Sequence, residues 1–227
     1  MPPLLGVSVS CSICEKRKEK RFCPAVHGRI CPQCCGEQRE VTLDCPENCP
    51  YLQQARAHEE PRTLEQMKGE ELFLEIEVEQ RFYYEREPLI AGLLFSLSRL
   101  GSAHRDWNDR DVIGALTAFA RSYQRLTSSG IIYDEVTANP VQQAIADELR
   151  RRIEEYRKLE QQRLGFSSLK DSEVLKALVF LVRAAVKGTS GRARSRAFLA
   201  ELTAKFTAAA EGPGSAAGGS SSLIVPG

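Results

Sequence analysis

Cysteine is missing from most of this chain: all eight cysteines of the 227 residues lie between Cys11 and Cys49, and none follows. No apolar run reaches the roughly 18 residues that a membrane-spanning helix needs. The start of the chain also lacks the basic segment and the long apolar core of a signal peptide. We therefore expect a soluble, cytoplasmic protein with no membrane partner.

A strong overall charge is missing too, because 31 basic and 30 acidic residues leave a net charge of +1. Such a balance does not favour general binding to nucleic acid or to an anionic membrane surface. The local exception is a basic cluster near the C-terminus, formed by Arg192, Arg194 and Arg196. This cluster could bind a phosphate or a nucleic-acid backbone, although charge runs more often form a solvated helix face.

The spacing of the cysteines predicts metal binding. In a cytoplasmic protein, clustered cysteines hold metal more often than they form disulfides, and a histidine within the series can ligate metal but cannot form a disulfide. Thiolates combined with imidazole in closed four-ligand sites favour zinc over an iron–sulfur cluster. Eight ligands would fill two tetrahedral zinc sites, and they come in four pairs: Cys11 and Cys14, Cys23 and His27, Cys31 and Cys34, Cys45 and Cys49.

Spacing alone leaves two points open. The pairs fit interleaved sites as well as two sequential sites, Cys11 to His27 and Cys31 to Cys49. Cys35 is a further candidate ligand, either a surplus thiol or an alternative to Cys34. In every arrangement, a segment of about 45 residues is too small to fold on a hydrophobic core alone, so zinc must supply much of its stability.

The ligand order resembles that of the RING finger family. The match includes the run CSIC from Cys11, the run HGRICPQC from His27, and a proline after Cys45. The resemblance implies a cross-brace, in which the first and third pairs share one zinc ion and the second and fourth pairs share the other. The run CCGEQR from Cys34 is also similar to one in uncharacterised bacterial cysteine-rich proteins, a similarity that implies no activity.

RING fingers commonly act as ubiquitin ligases, and Ile13 matches the apolar residue with which they grip a conjugating enzyme. The chain departs from their pattern elsewhere, because no tryptophan stands between Cys34 and Cys45 and because Pro50 follows the last ligand in place of a basic residue. Related cross-brace fingers of the B-box and MYND kind serve as docking surfaces only. The resemblance therefore supports the metal scaffold better than it supports ligase activity.

The pattern after the cysteines is helical. Asn139 followed by Pro140 is a strong helix start, and apolar residues at steps of three and four predict a helix over 140–163. A nearly continuous apolar segment, 177–186, predicts a buried central helix. Segment 72–79 fits a strand as well as a helix, and we predict a helix because a lone strand has no partner. The expected fold class is mainly α: a bundle of about five to seven helices, preceded by a small two-zinc, treble-clef or RING-like finger.

We therefore divide the chain into a finger (1–60), a helical bundle (61–210) and a disordered tail (211–227). The expected function is that of a zinc-binding adaptor, whose finger docks a protein partner through Ile13 and Ile30 and whose bundle binds a second partner or self-associates. No nucleotide-binding loop or nucleophile motif argues for an enzyme. A RING-type ubiquitin ligase and a nucleic-acid-binding regulator that uses the basic cluster are the alternatives.

Overall fold

The computed structural model describes residues 10–60, 62–63, 65–130 and 138–210. This part of the chain contains one two-stranded sheet and eight α-helices, so the protein is mainly helical, as predicted. The buried apolar residues form two clusters, one within the cysteine-rich segment and one among the later helices. The domain boundary that we placed at residue 60 stays a prediction, and the tail 211–227 lies outside the described residues.

The cysteine-rich segment, which we call the finger, is built on a short antiparallel hairpin whose two strands pair with Arg21 opposite Ile30. A single 3₁₀ turn joins the strands, and two short helices follow. In chain order the elements are β1 (Arg21–Cys23), the 3₁₀ turn (Pro24–Val26), β2 (Gly28–Ile30), α1 (Pro32–Gln38) and α2 (Pro50–Arg56). Cysteine side chains supply most of the finger's buried cluster, to which Ile30 and Leu43 add. The apolar core is small, as the sequence predicts.

The bundle is formed in the described part of the chain by six helices: α3 (Gln80–Glu85), α4 (Glu87–Ala103), α5 (Asp109–Ser129), α6 (Pro140–Leu164), α7 (Asp171–Gly188) and α8 (Ala197–Ala210). Helix α7 carries buried residues from Val174 to Val186, and α5 packs along it, so the apolar segment 177–186 forms the buried helix that we predicted. Helix α4 packs against both α6 and α8. Among the described residues, no helix is both long enough and apolar enough to cross a membrane.

Side-chain caps and a left-handed glycine mark the ends of the long helices, among them the predicted start at Asn139. The Asn139 side chain caps α6 by accepting from the Val141 N–H at 2.9 Å. Gly165 ends that helix with φ of 81°, a left-handed conformation that glycine adopts without steric cost. Asn108 and Asp111 form a reciprocal capping box at the start of α5. The helix predicted over 140–163 is therefore confirmed with nearly the same bounds.

Segment 72–79 is neither the helix that we predicted nor a strand. It is irregular chain with one turn, in which the Ile76 N–H donates to the Phe73 carbonyl at 2.9 Å. The Arg183 guanidinium on α7 donates to the carbonyls of Leu72, Phe73 and Ile76 at distances of 2.6 to 2.9 Å. Carbonyls that a helix would satisfy internally are thus satisfied by a distant side chain. The prediction was wrong because it considered only the local pattern.

Hydrogen bonds fasten the finger to the bundle. Arg192 donates from Nη1 to the carbonyls of Gly36 and Arg39 at 3.1 and 2.8 Å, and the Arg194 N–H donates to the Glu40 carbonyl at 2.8 Å. The Glu40 side chain is buried although it is charged. The end of α1 and the chain just after it therefore lie against the segment that precedes α8.

Candidate metal centre

Four cysteines of the finger come together at one point. Their Sγ atoms all lie within 4.8 Å of one another, and among the described residues they form the one group of three or more candidate ligands this close together. Two belong to a turn before the hairpin and two to the start of α1: Cys11, Cys14, Cys31 and Cys34. These are the first and third of the predicted pairs, so two sequential sites do not describe this group. Cys34 belongs to this group, and the adjacent Cys35 does not.

The first two cysteines of the group lie on a tight turn that packs against the hairpin. The Glu15 N–H donates to the Cys11 carbonyl at 2.8 Å, and Glu15 itself has φ of 55°, so the chain reverses there. Ser12 holds the turn against β2, because its N–H and its hydroxyl each donate to the Arg29 carbonyl at 2.9 Å. A Cβ on Gly28 would stand 2.8 Å from the Ser12 hydroxyl oxygen. This close approach therefore requires glycine in β2.

The first turn of α1 presents the other two cysteines on one side. Cys31 is the N-cap residue, and Pro32 occupies the first helical position, where a missing N–H costs nothing. The Cys34 N–H donates to Cys31 Sγ at 3.4 Å, and one Arg17 guanidinium nitrogen lies 4.0 Å from the same sulfur. Sulfur thus replaces the oxygen that usually caps a helix, and it accepts the hydrogen bonds that a metal-bound thiolate commonly receives.

The protein environment makes the four thiols unequal. The pKa of Cys31 is lowered, chiefly by the hydrogen bond from the backbone of Cys34. Burial opposes ionisation of Cys11, yet hydrogen bonds from the backbones of Cys14, Cys31 and Ile13 lower its pKa to about 6. Burial and the neighbouring thiols raise the pKa of Cys34 to about 12. Fixed backbone donors therefore favour the thiolate form at two of the four ligands, and a bound cation would favour it at all four.

The geometry of this group fits a tetrahedral metal ion. Four sulfurs bound to zinc at about 2.3 Å would lie about 3.8 Å from one another, which is within the 4.8 Å limit that the four Sγ atoms satisfy. Three of the thiols are buried and Cys14 is half-buried, so protein ligands surround the point and leave little access for solvent. All eight cysteines are free thiols, which leaves every one of them available to a metal. The group could therefore hold one ion, with zinc favoured by four soft ligands.

The second predicted ligand set is only partly brought together. Cys23, Cys45 and Cys49 line one small cavity of the finger, and Cys35 lines it with them. Burial raises the pKa of the Cys45 thiol, and the nearby Cys23 and Cys49 add to this effect. His27, the fourth predicted ligand, has an exposed side chain and does not line the cavity. The second zinc site stays a prediction.

The residues that we expected to contact a partner are less accessible than the sequence implied. Ile30 is 0% exposed and lies in the core of the finger, so its expected role as a partner contact stays a prediction that no exposed surface supports. Ile13 is half-buried and packs against the same core. Both apolar side chains belong to the small core of the finger, where they fill the space beside the clustered cysteines.

The basic cluster near the C-terminus is engaged mostly within the protein. Arg192 donates to carbonyls of the finger, as described above. Arg196 is buried, donates from Nε to Glu47 at 3.2 Å, and also donates to four backbone carbonyls: those of Gly101, His104, Arg105 and Trp107. Arg194 alone of the three is exposed. Anion binding by this cluster stays a prediction, and two of its three guanidinium groups already have partners.

Sequence reasoning left Cys35 as either a surplus thiol or an alternative to Cys34, and did not place both cysteines at different ions. The available signal was its position next to Cys34 on a helix, where successive side chains point about 100° apart. Two neighbouring cysteines on α1 therefore face different parts of the finger. The comparisons with known proteins add no assignment: no family model, no curated protein and no solved structure matches the chain. The likeness to RING fingers is thus limited to ligand order and to the meeting of the first and third pairs.

Proposed function

We propose that this protein is a zinc-binding adaptor, in which a metal-stabilised finger docks a protein partner and the helical bundle serves as a second binding or oligomerisation module. The observation that carries the proposal is the buried group of four cysteines within a segment that has little other core. Closed all-protein sites of this kind are structural, because no ligand position is left for water or substrate. Zinc here would fold the finger rather than catalyse a reaction.

Exposed apolar side chains on the hairpin support a docking role. Apart from Val41 in the loop after α1, the exposed large apolar side chains of the described finger are Phe22 in β1 and Val26 in the 3₁₀ turn, which are 55% and 38% exposed. Neighbouring exposed apolar residues on a small, rigid scaffold are typical of protein-binding surfaces. We call this pair the hairpin tip, and it replaces Ile13 and Ile30 as the proposed contact surface.

The bundle offers a second apolar surface at the end of α6. Leu164 and Phe166 are 59% and 62% exposed on either side of the helix-ending glycine. Such a pair fits a second partner or another copy of the chain. The nucleic-acid alternative has less support, because Arg192 and Arg196 donate to carbonyls within the protein. The ligase alternative rests on Ile13, which is half-buried.

Site-specific photocrosslinking tests the docking proposal in the full chain. A photoreactive phenylalanine analogue replaces Phe22 at the hairpin tip and, in a matched control, replaces Tyr84, which is 64% exposed on α3 and lies outside both proposed contact surfaces. We expect a discrete crosslinked protein from position 22 that disappears when a chelator removes zinc. Crosslinking that is the same at both positions, or that survives chelation, would contradict docking through a zinc-folded finger.

Metal analysis tests the zinc part of the proposal separately. The purified full chain is expected to contain zinc, and Cys14→Ser should remove one ion per chain because it deletes a ligand of the four-cysteine group. Ser12→Ala, a neighbouring change that leaves every ligand in place, should retain the ion. A wild-type chain without bound metal would refute the proposal.

A further inference from the structure

We infer that the finger holds a second zinc ion through four thiolates, those of Cys23, Cys35, Cys45 and Cys49, without His27. The inference deepens the proposed function, since it assumes that the finger is a zinc-binding module. It assigns Cys35 to the second ion, whereas the sequence left this residue as a surplus thiol or an alternative to Cys34. It also makes the second site chemically the same as the first.

The four thiols share one enclosed space. They line a single cavity of about 10 Å³ between the hairpin, α1 and the start of α2. Three of them are 7% exposed and Cys45 is half-buried. Each comes from a different part of the finger, because Cys23 ends β1, Cys35 lies on α1, Cys45 lies in the following loop and Cys49 precedes α2. An ion among them would tie together every element of the finger.

The loop between the last two cysteines is shaped to bring them together. The Cys49 N–H donates to the Pro46 carbonyl at 2.9 Å, which closes a turn between Cys45 and Cys49. This turn directs both side chains into the same cavity. The Sγ atoms of the four cysteines are not as close to one another as those of the first group. Binding of an ion is therefore expected to draw them inward.

Helix geometry explains how Cys34 and Cys35 can serve different ions. Successive residues of an α-helix point about 100° apart. Cys34 accordingly joins the first group, while Cys35 faces the cavity on another side of α1. His27 ends the 3₁₀ turn with φ of 48°, and its side chain is exposed outside the cavity. A histidine at this position would have to leave the surface and displace Cys35 in order to ligate the ion.

A nearby arginine supplies the outer support that a thiolate site needs. The Arg39 side chain lines the same cavity, and its Nε is buried without a hydrogen-bond partner among the described residues. An unsatisfied buried donor is costly, and metal-bound thiolates accept hydrogen bonds from such outer groups. A zinc-bound thiolate is a stronger acceptor than a neutral thiol, so an ion in this cavity would favour a hydrogen bond from Arg39.

Cobalt titration of the full wild-type chain tests the inference without any substitution. Sulfur-to-cobalt charge-transfer absorption reports the number of thiolate bonds at each ion, so the second equivalent of Co²⁺ should add as much absorption as the first. A second site with three thiolates and one imidazole would add about a quarter less per ion. Such a reduced second step would overturn the assignment of Cys35.

Zinc stoichiometry of matched variants provides the second test. We expect about two ions per chain in the wild type, with the same number in His27→Gln and one fewer in Cys35→Ser. Helical circular dichroism of each variant shows whether the bundle remains folded. Loss of an ion in His27→Gln with none lost in Cys35→Ser would overturn the inference. A wild type with a single ion that Cys14→Ser removes would also overturn it and leave the proposed function standing, whereas a wild type with no ion would refute both.

Discussion

Asp109 is a buried carboxyl group whose removal should change how stability depends on pH. The residue is 0% exposed at the start of α5. Its carboxylate accepts from the Ser195 hydroxyl at 2.8 Å and from the N–H groups of Phe198 and Leu199 at 3.2 Å. One side chain therefore caps α8 from another helix. Burial outweighs these three hydrogen bonds and raises the pKa of Asp109 from its ordinary value of 3.8 to about 6.

The sign of the effect follows from proton binding. Between about pH 4 and pH 6 the native state holds a proton on Asp109 that the unfolded chain has already lost. The contribution of this group to the free energy of unfolding is therefore fully present below pH 3.8 and decreases as pH rises to about 6. At about 1.4 kcal/mol for each pH unit between the two values, the decrease amounts to about 3 kcal/mol.

The test substitution is Asp109→Asn, because the asparagine amide does not titrate between pH 3.5 and 7. Urea unfolding of the wild type and the variant, followed by helical circular dichroism from pH 3.5 to 7, gives the difference in their free energies of unfolding. We expect the advantage of the wild type over the variant to shrink by about 3 kcal/mol across this range. Part of the wild-type advantage comes from the hydrogen bond that the Leu199 N–H donates to Asp109. An asparagine amide cannot accept this bond, and the unsatisfied N–H costs about 1 to 3 kcal/mol.

Asp106→Asn is the matched control, because it removes one negative charge from the same region at an exposed position. Comparing the two variants separates the effect of the buried carboxyl group from that of net charge. Effects of acid on the finger occur in both chains and cancel in the difference. A difference for Asp109→Asn that is constant with pH, or that grows toward neutral pH, would refute the reasoning.

Three further outcomes are expected. Removing metal with a chelator should collapse the dispersed amide signals of residues 10–49 and leave those of the bundle; an unchanged finger spectrum would contradict metal-dependent folding. Arg196→Met should lower the free energy of unfolding in urea by about 3 to 5 kcal/mol, since it leaves several backbone carbonyls without their donor. Arg81→Met, at an exposed ion pair, should change it little, and equal effects of the two substitutions would contradict this. Arg183→Met should speed hydrogen exchange of the backbone amides in segment 72–79, because it would leave carbonyls of this segment unsatisfied. Unchanged exchange rates would show that other contacts hold the segment.

The long helices could be predicted because their signals are local. Asn139 and Gly165 mark the ends of α6 by backbone requirements that hold in any context. Thr63 and Gln66 show the limit of such signals: their spacing is that of a capping box and they form its reciprocal hydrogen bonds at 2.9 and 3.4 Å, yet turns rather than a helix follow them. A cap satisfies the first N–H groups of a helix but does not supply the packing that stabilises one.

Spacing predicted the members of the first metal group but not their partition between ions, which only the resemblance to RING fingers implied. Spacing brings Cys11 close to Cys14 and Cys31 close to Cys34, whereas the meeting of these two pairs depends on the hairpin between them. The role of Arg196 was hidden for the same reason, since the Gly101 carbonyl that it binds lies on another helix. The sequence shows which residues are charged, but only the fold shows which groups they contact.

The attachment of the finger to the bundle determines which surface a partner can use. The Glu40 side chain accepts from the Ser190 hydroxyl at 3.4 Å and its backbone carbonyl accepts from the Arg194 N–H, while Glu47 pairs with Arg196. Both glutamates lie between Cys35 and Cys49, within the chain that the inferred second ion would fix. That ion would therefore order the loops that hold the finger on the bundle as well as the finger itself. Because these loops contact the bundle, the exposed apolar hairpin tip is the surface of the finger on which we base the proposed docking.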